Sequence, residues 1–103
     1  MINMIVYLKK QHNPAELIEH LLREELIATA TIDENNISYS MNNGVVEQEV
    51  NYVITMQTKA LLFNEIVKIV EMKFGQDTPI NSVPIVSTNR MFEETIRSKT
   101  KKI

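Results

Sequence analysis

The chain has 103 residues, 44% apolar and 23% charged, the size and balance of one folded domain (1–103) with a two-layer core, which excludes a disordered chain. A formal net charge of −2 gives no overall pull toward nucleic acid, and the lack of cysteine rules out disulfides, thiolate nucleophiles and Cys-ligated zinc. No apolar run nears the roughly 20 residues of a membrane span, and the first residues lack a basic-then-apolar export signal, so a soluble cytoplasmic protein with no membrane partner is expected.

Ile2 to Leu8 reads as a strand with Ile2, Met4, Val6 and Leu8 on one face and Ile5 and Tyr7 on the other; apolar residues on both faces suit a central position. Asn13-Pro14-Ala15-Glu16 then opens a helix, because Asn can cap, Pro fits the first helical position and Glu at the third can reach back to the cap amide. The spacing predicts a helix to about Glu25 that buries Leu17, Ile18, Leu21 and Leu22 and turns Glu16, Glu19, His20, Arg23 and Glu24 to water. Ile27 to Ile32 follows as a strand of small and β-branched residues, able to continue past Asp33 to Asn36 into the next segment.

Ile37 to Thr58 dominates the pattern and reads as one long two-stranded antiparallel ribbon. Ile37, Tyr39 and Met41 going out, and Val46, Val50, Tyr52, Ile54 and Met56 coming back, recur at period two, so one face is buried. Asn42-Asn43-Gly44 between the arms tolerates the positive φ values of a tight reversal. The other face carries Ser38, Ser40, Glu47, Glu49, Asn51 and Gln57, while Gln48 interrupts the apolar side. Such a ribbon extends roughly 25 Å, farther than the short helices on either side can cover. A second copy of the chain is the simplest cover for its far end.

Thr58 is placed to cap a second helix through about Phe74, ended by Gly75, with Phe63, Ile66, Val67, Val70 and Phe74 on its buried side. Gln76 to Ser82 reads as loop and Val83 to Ser87 as a last strand, which Pro84 confines to an edge or a strand start. Thr88-Asn89 opens a short terminal helix carrying Met91, Phe92, Thr95 and Ile96, and the basic run from Ser98 to Lys102 is expected to fray. The order βαββαβ predicts an α+β, ferredoxin-like fold with a long β-hairpin and a short C-terminal helix.

Few residues suggest chemistry. His20 has Glu16 and Glu24 four residues away on either side, so one helix face can offer an imidazole and two carboxylates to a divalent metal ion. A solvent-exposed histidine is the plainer reading, since a structural site needs four convergent ligands. Glu47 and Glu49 lie on one side of the ribbon, without a nucleophile or an aromatic pocket to make them an acid–base pair; a solvated strand face is the plainer reading. Arg97, Lys99, Lys101 and Lys102 form a small basic tail, read as a solubilising end. Tyr7 and Tyr52 are the sole aromatic candidates for stacking bases on central strands, too few for a nucleic-acid module on an acidic chain. Gly44 and Gly75 are the only glycines, so no phosphate-cradling loop exists. No nucleophile and base are arranged for catalysis, and a non-enzymatic protein is expected.

These segments together resemble the CutA divalent-cation-tolerance family over nearly the whole chain. Leu21-Leu22-Arg23-Glu24-Glu25-Leu26-Ile27-Ala28-Thr29-Ala30-Thr31-Ile32 is similar to the family's stretch in which a helix ends and a Leu-Ala-Ala-Cys-Val strand begins, with a small residue where cysteine is usual. Ile37-Ser38-Tyr39-Ser40-Met41 followed by Gly44 resembles its Tyr-x-Trp-x-Gly hairpin, with Met41 for Trp and one extra residue in the turn. Gln57-Thr58 stands where Lys-Thr is usual. Val83-Pro84-Ile85 and then Asn89-Arg90-Met91-Phe92-Glu93-Glu94-Thr95-Ile96 resemble its closing Pro-Ile and Asn-x-x-Tyr-Leu-x-Trp-Ile, with Phe92 for Tyr and Thr95 for Trp. The chain departs from the family at its cysteines and at Phe74-Gly75-Gln76, where His before Tyr and a later Pro are usual.

The resemblance implies a homotrimer whose hairpins pair across subunit boundaries, with Tyr39, Met41, Val50, Tyr52, Ile54 and Phe92 as interface residues. It also implies a role in tolerance of, or response to, divalent cations, copper above all. The alternative is a sensor like the PII signalling proteins, also ferredoxin-like trimers, binding a small anionic ligand in intersubunit clefts. In this chain that cleft would lie where Lys9 to His12 approaches a neighbour's hairpin.

Overall fold

A computed structural model describes residues 1–102. Strand β1 (Ile2–Lys9) leads to helix α1 (Pro14–Arg23); β2 (Thr29–Asn42) and β3 (Val45–Thr58) form the ribbon; a 3₁₀ turn (Ala60–Leu62) runs into α2 (Phe63–Phe74); β4 (Ile80–Pro84) and α3 (Arg90–Lys99) follow. The sheet order is β2-β3-β1-β4, with antiparallel neighbours throughout. This is the ferredoxin-like arrangement, in which β3 is inserted between β1 and β2.

Alternation in β1 decides where the core sits. Ile2, Met4, Val6 and Leu8 are buried, and opposite them on β3 lie Ile54 and Met56. Leu17 and Leu21 from α1, and Ile66 and Val70 from α2, close over the same face and join one apolar cluster with them. Ile5 and Tyr7 point to the other face and stay half-buried, because no helix covers it. Leu22 falls at the margin of the predicted α1 stripe and is exposed.

Local chemistry fixes the element ends. The Asn13 side chain caps α1 by accepting from the Ala15 amide at 3.1 Å. At the other end Leu26 N–H donates to Leu21 C=O and Glu25 N–H to Leu22 C=O, with Glu25 left-handed at φ 56°, a Schellman closure built without glycine. The ribbon turns on Asn43 (φ 51°) and Gly44 (φ 78°) between the paired Asn42 and Val45, a two-residue reversal that matches strand twist. A bulge between Asp33 and Asn36 separates the sheet-bound half of β2 from its ribbon half, so the strand from Thr29 and the ribbon arm are one element.

Three local expectations are corrected. Thr58 does not cap α2; it is the last residue of β3, fully buried, and its hydroxyl donates to the Leu26 carbonyl at 2.5 Å. The last strand is Ile80–Pro84 rather than Val83 to Ser87, because pairing with β1 begins at Val6 opposite Ile80 and ends at Ile2 opposite Pro84. Pro84 therefore closes an edge strand, where its missing N–H costs little. The basic tail is not frayed through Lys101: Thr100 is buried, Lys101 N–H donates to the Glu25 carbonyl at 2.8 Å, and the Lys59 ammonium donates to the Lys101 carbonyl at 3.0 Å.

Candidate functional site

The ribbon outruns the sheet. Pairing of β3 with β1 stops at Asn51 opposite Lys9, and from Val50 to Val45 the strand has only β2 beside it. Side chains on β3 alternate without a break, so Val46, Gln48, Val50 and Tyr52 continue the face on which Ile54 and Met56 are buried. Across the ribbon, Ile37 stands opposite Val50, Tyr39 opposite Gln48 and Met41 opposite Val46. This face is uncovered: Tyr39 is 65% exposed, Met41 68% and Val46 62%. The molecule measures 47 × 28 × 21 Å and its radius of gyration is 14.7 Å, against about 13 Å for a compact chain of this length. The single chain thus leaves an apolar row on a protruding arm in water.

The expected interface residues divide. Tyr39, Met41 and Val50 lie on the free ribbon face. Tyr52 is half-buried at the ribbon's root, with the Lys10 ammonium 4.2 Å above its ring. Ile54 is enclosed by its own subunit and has no surface left to offer. Phe92, half-buried on α3, borders a shallow hollow with Ile85 and Asn89.

The expected metal ligands do not converge. Glu16, His20 and Glu24 border one groove on α1, but Arg23 and Lys73 border it too, and two cations oppose a third. Among the described residues no three of His, Cys, Asp and Glu come together to hold an ion. The α1 face is thus a half-buried histidine among surface charges.

The other candidates resolve as simply. Glu47 and Glu49 are exposed, and the Asn42 amide faces the Glu47 carboxylate at 3.5 Å. In the tail, Arg97 pairs with Glu93 and Lys101 with Glu65, exposed pairs worth little but enough to spend those cations. Tyr7 shares a row with Val53, and Tyr52 with Leu8, so the two tyrosines lie on opposite sheet faces and cannot form one stacking platform.

Beside Lys9 to His12 the structure holds a hollow of about 200 Å³. The end of β1 gives Tyr7 and Lys9, the turn into α1 gives Gln11 and His12, the last residue of α2 is Phe74, and the segment after it gives Asp77 and Thr78. His12 and Phe74 meet with ring centroids 4.8 Å apart and planes tilted 51°. Gly75, at φ 105°, turns the chain out of α2, and the Thr78 hydroxyl donates to its carbonyl at 2.8 Å. The sequence reading set a cleft where Lys9 to His12 meets a neighbour's hairpin and did not include the Phe74 to Thr78 segment that borders this hollow within the same chain. Its one signal was Gly75, which marks a sharp exit but not the direction the exit takes.

Among the described residues no helix is long and apolar enough to cross a membrane. No curated protein matches the sequence. Solved structures do match the fold. CutA1 from Pyrococcus horikoshii shares 18% identity at a TM-score of 0.86, covering 99% of this chain and 100% of that one. CutA1 from Oryza sativa shares 19% at 0.87, with 99% and 94% covered. A protein described as the periplasmic divalent cation tolerance protein CutA, from Archaeoglobus fulgidus, shares 19% at 0.85, with 98% and 100% covered. The sequence itself matches the family described as CutA1 divalent ion tolerance protein from residue 2 to residue 99, and the chain belongs to that family.

Proposed function

We propose that this chain is a single-domain, non-enzymatic subunit of a homotrimer that serves divalent-cation tolerance, and that it does so as an assembly rather than as a metal chelator. The uncovered ribbon face carries the reading: Ile37, Tyr39, Met41, Val46 and Val50 form apolar cross-strand rows that a lone subunit leaves in water. The open sheet face adds to it. Ile5, Tyr7, Val53 and Thr55 are half-buried there, with no helix of the subunit over them.

Copper, the ion the family resemblance implies, does not fit the donors of one subunit. Cysteine is absent, His12 packs on Phe74, and His20 shares its groove with Arg23 and Lys73. No step of the proposed role therefore passes through a resident ion.

Light scattering on the purified protein tests the assembly. The expected mass is about three times the 11.9 kDa of one chain, and Tyr39→Asp combined with Met41→Asp is expected to lower it, because both charges would be buried unpaired. A parent protein that runs as a single chain at micromolar concentration with a cooperative melt defeats the reading.

A further inference from the structure

We propose that the hollow beside His12 binds a small zwitterion of the α-amino-acid class with an apolar side chain. Every residue the inference uses comes from one chain.

Size sets the first limit. At about 200 Å³ the hollow lies below the roughly 300–1,000 Å³ of sites for drug-sized ligands, too small for a nucleotide and ample for an amino acid. Charge sets the second. Lys9 and Asp77, opposite in sign and from separate segments, both line the hollow, and neither takes part in a salt bridge among the described residues. A dianion would meet the Asp77 carboxylate and a simple amine the Lys9 ammonium, whereas a molecule carrying both charges satisfies each.

The remaining groups add acceptors and donors to the lining. The Thr78 hydroxyl spends its proton on the Gly75 carbonyl, so its oxygen is left to accept. With the Asp77 carboxylate it forms an acceptor side for an ammonium group, which brings three donors. Asp77 is exposed, and its Oδ1 lies 2.9 Å from where a Cβ on Gly75 would stand. Lys9 and the Gln11 amide, which line the same hollow, are donors for a carboxylate. The tilted His12–Phe74 pair gives an apolar wall for the ligand's side chain.

Calorimetry on the full chain tests this with three matched probes: L-leucine, 4-methylpentanoate, which lacks the amino group, and 3-methylbutylamine, which lacks the carboxylate. Leucine is expected to bind at least about tenfold more tightly than either, the worth of one charged hydrogen bond. Asp77→Asn is expected to weaken leucine about tenfold while leaving 4-methylpentanoate unchanged or tighter; Lys9→Gln is expected to weaken leucine and spare the amine. Binding of leucine no tighter than 4-methylpentanoate overturns the proposal, as does the absence of heat with all three probes or indifference of leucine affinity to both substitutions.

Discussion

Glu25 and Thr58 sit at two joints where the backbone asks for something its residues only partly supply. Glu25 holds the left-handed position of the α1 closure at φ 56°, a conformation that costs an L-residue roughly 1–2 kcal/mol and glycine almost nothing. Against the entropy that glycine adds to the unfolded chain, roughly 0.5–1 kcal/mol, Glu25→Gly should still leave a net gain of up to about 1 kcal/mol. A rise in the urea midpoint with an unchanged slope is the expected outcome, and a fall would mean that the Glu25 side chain stabilises the joint in some other way. Glycine also occupies such positions in most helix closures, and its absence here explains why the predicted α1 ran on to about Glu25 when the helix ends at Arg23. Thr58 illustrates the opposite ambiguity. A threonine before a helical pattern looks like a cap, yet its hydroxyl reaches the Leu26 carbonyl, thirty-two residues away in the chain. No local pattern can show a bond between segments so far apart.

At the scale of elements, α3 is held by few points. Ile96 is buried, but it lies outside the main apolar cluster; beyond it the helix is fixed by buried Thr100, the Lys101 amide on Glu25 and the Lys101–Glu65 pair. Ile96→Ala should therefore release α3 as a unit, at a cost within the roughly 2–5 kcal/mol of such truncations, while the sheet stays folded. Hydrogen exchange reads the difference: α3 amides should lose protection while those of β1 keep theirs. Equal loss in both elements would show that α3 belongs to the global cooperative unit. The elements most legible in the sequence were those whose periodicity is strong and local. Both arms of the ribbon, its Asn43-Gly44 turn, the Asn13-Pro14 helix start and the Asn89 cap were all readable from residue types at fixed spacing. The three-residue displacement of β4 was not. Its extent is set by the length of β1 available for pairing, which is a property of the partner strand and not of Ile80 to Ser87.

For the molecule as a whole, the faces left open decide what would hold copies of it together. The ribbon rows are apolar, and the central sheet face offers Ile5, Tyr7, Val53 and Thr55 with few charges among them. The charged groups lie elsewhere: Arg90–Glu94, Arg97–Glu93 and Lys101–Glu65 are pairs within one subunit, and all are solvent-exposed. An assembly formed through the open faces would therefore owe its cohesion to apolar burial. Salt separates this from an assembly held by ion pairs, because raising the ionic strength to about 1 M shortens the screening length to about 3 Å and strengthens apolar contacts if it changes them at all. The mass measured by light scattering should thus remain the same from about 0.05 M to about 1 M sodium chloride. A fall toward the single-chain mass at high salt would transfer the cohesion to charged contacts, with Glu47 and Glu49 on the ribbon's polar face as the first residues to neutralise.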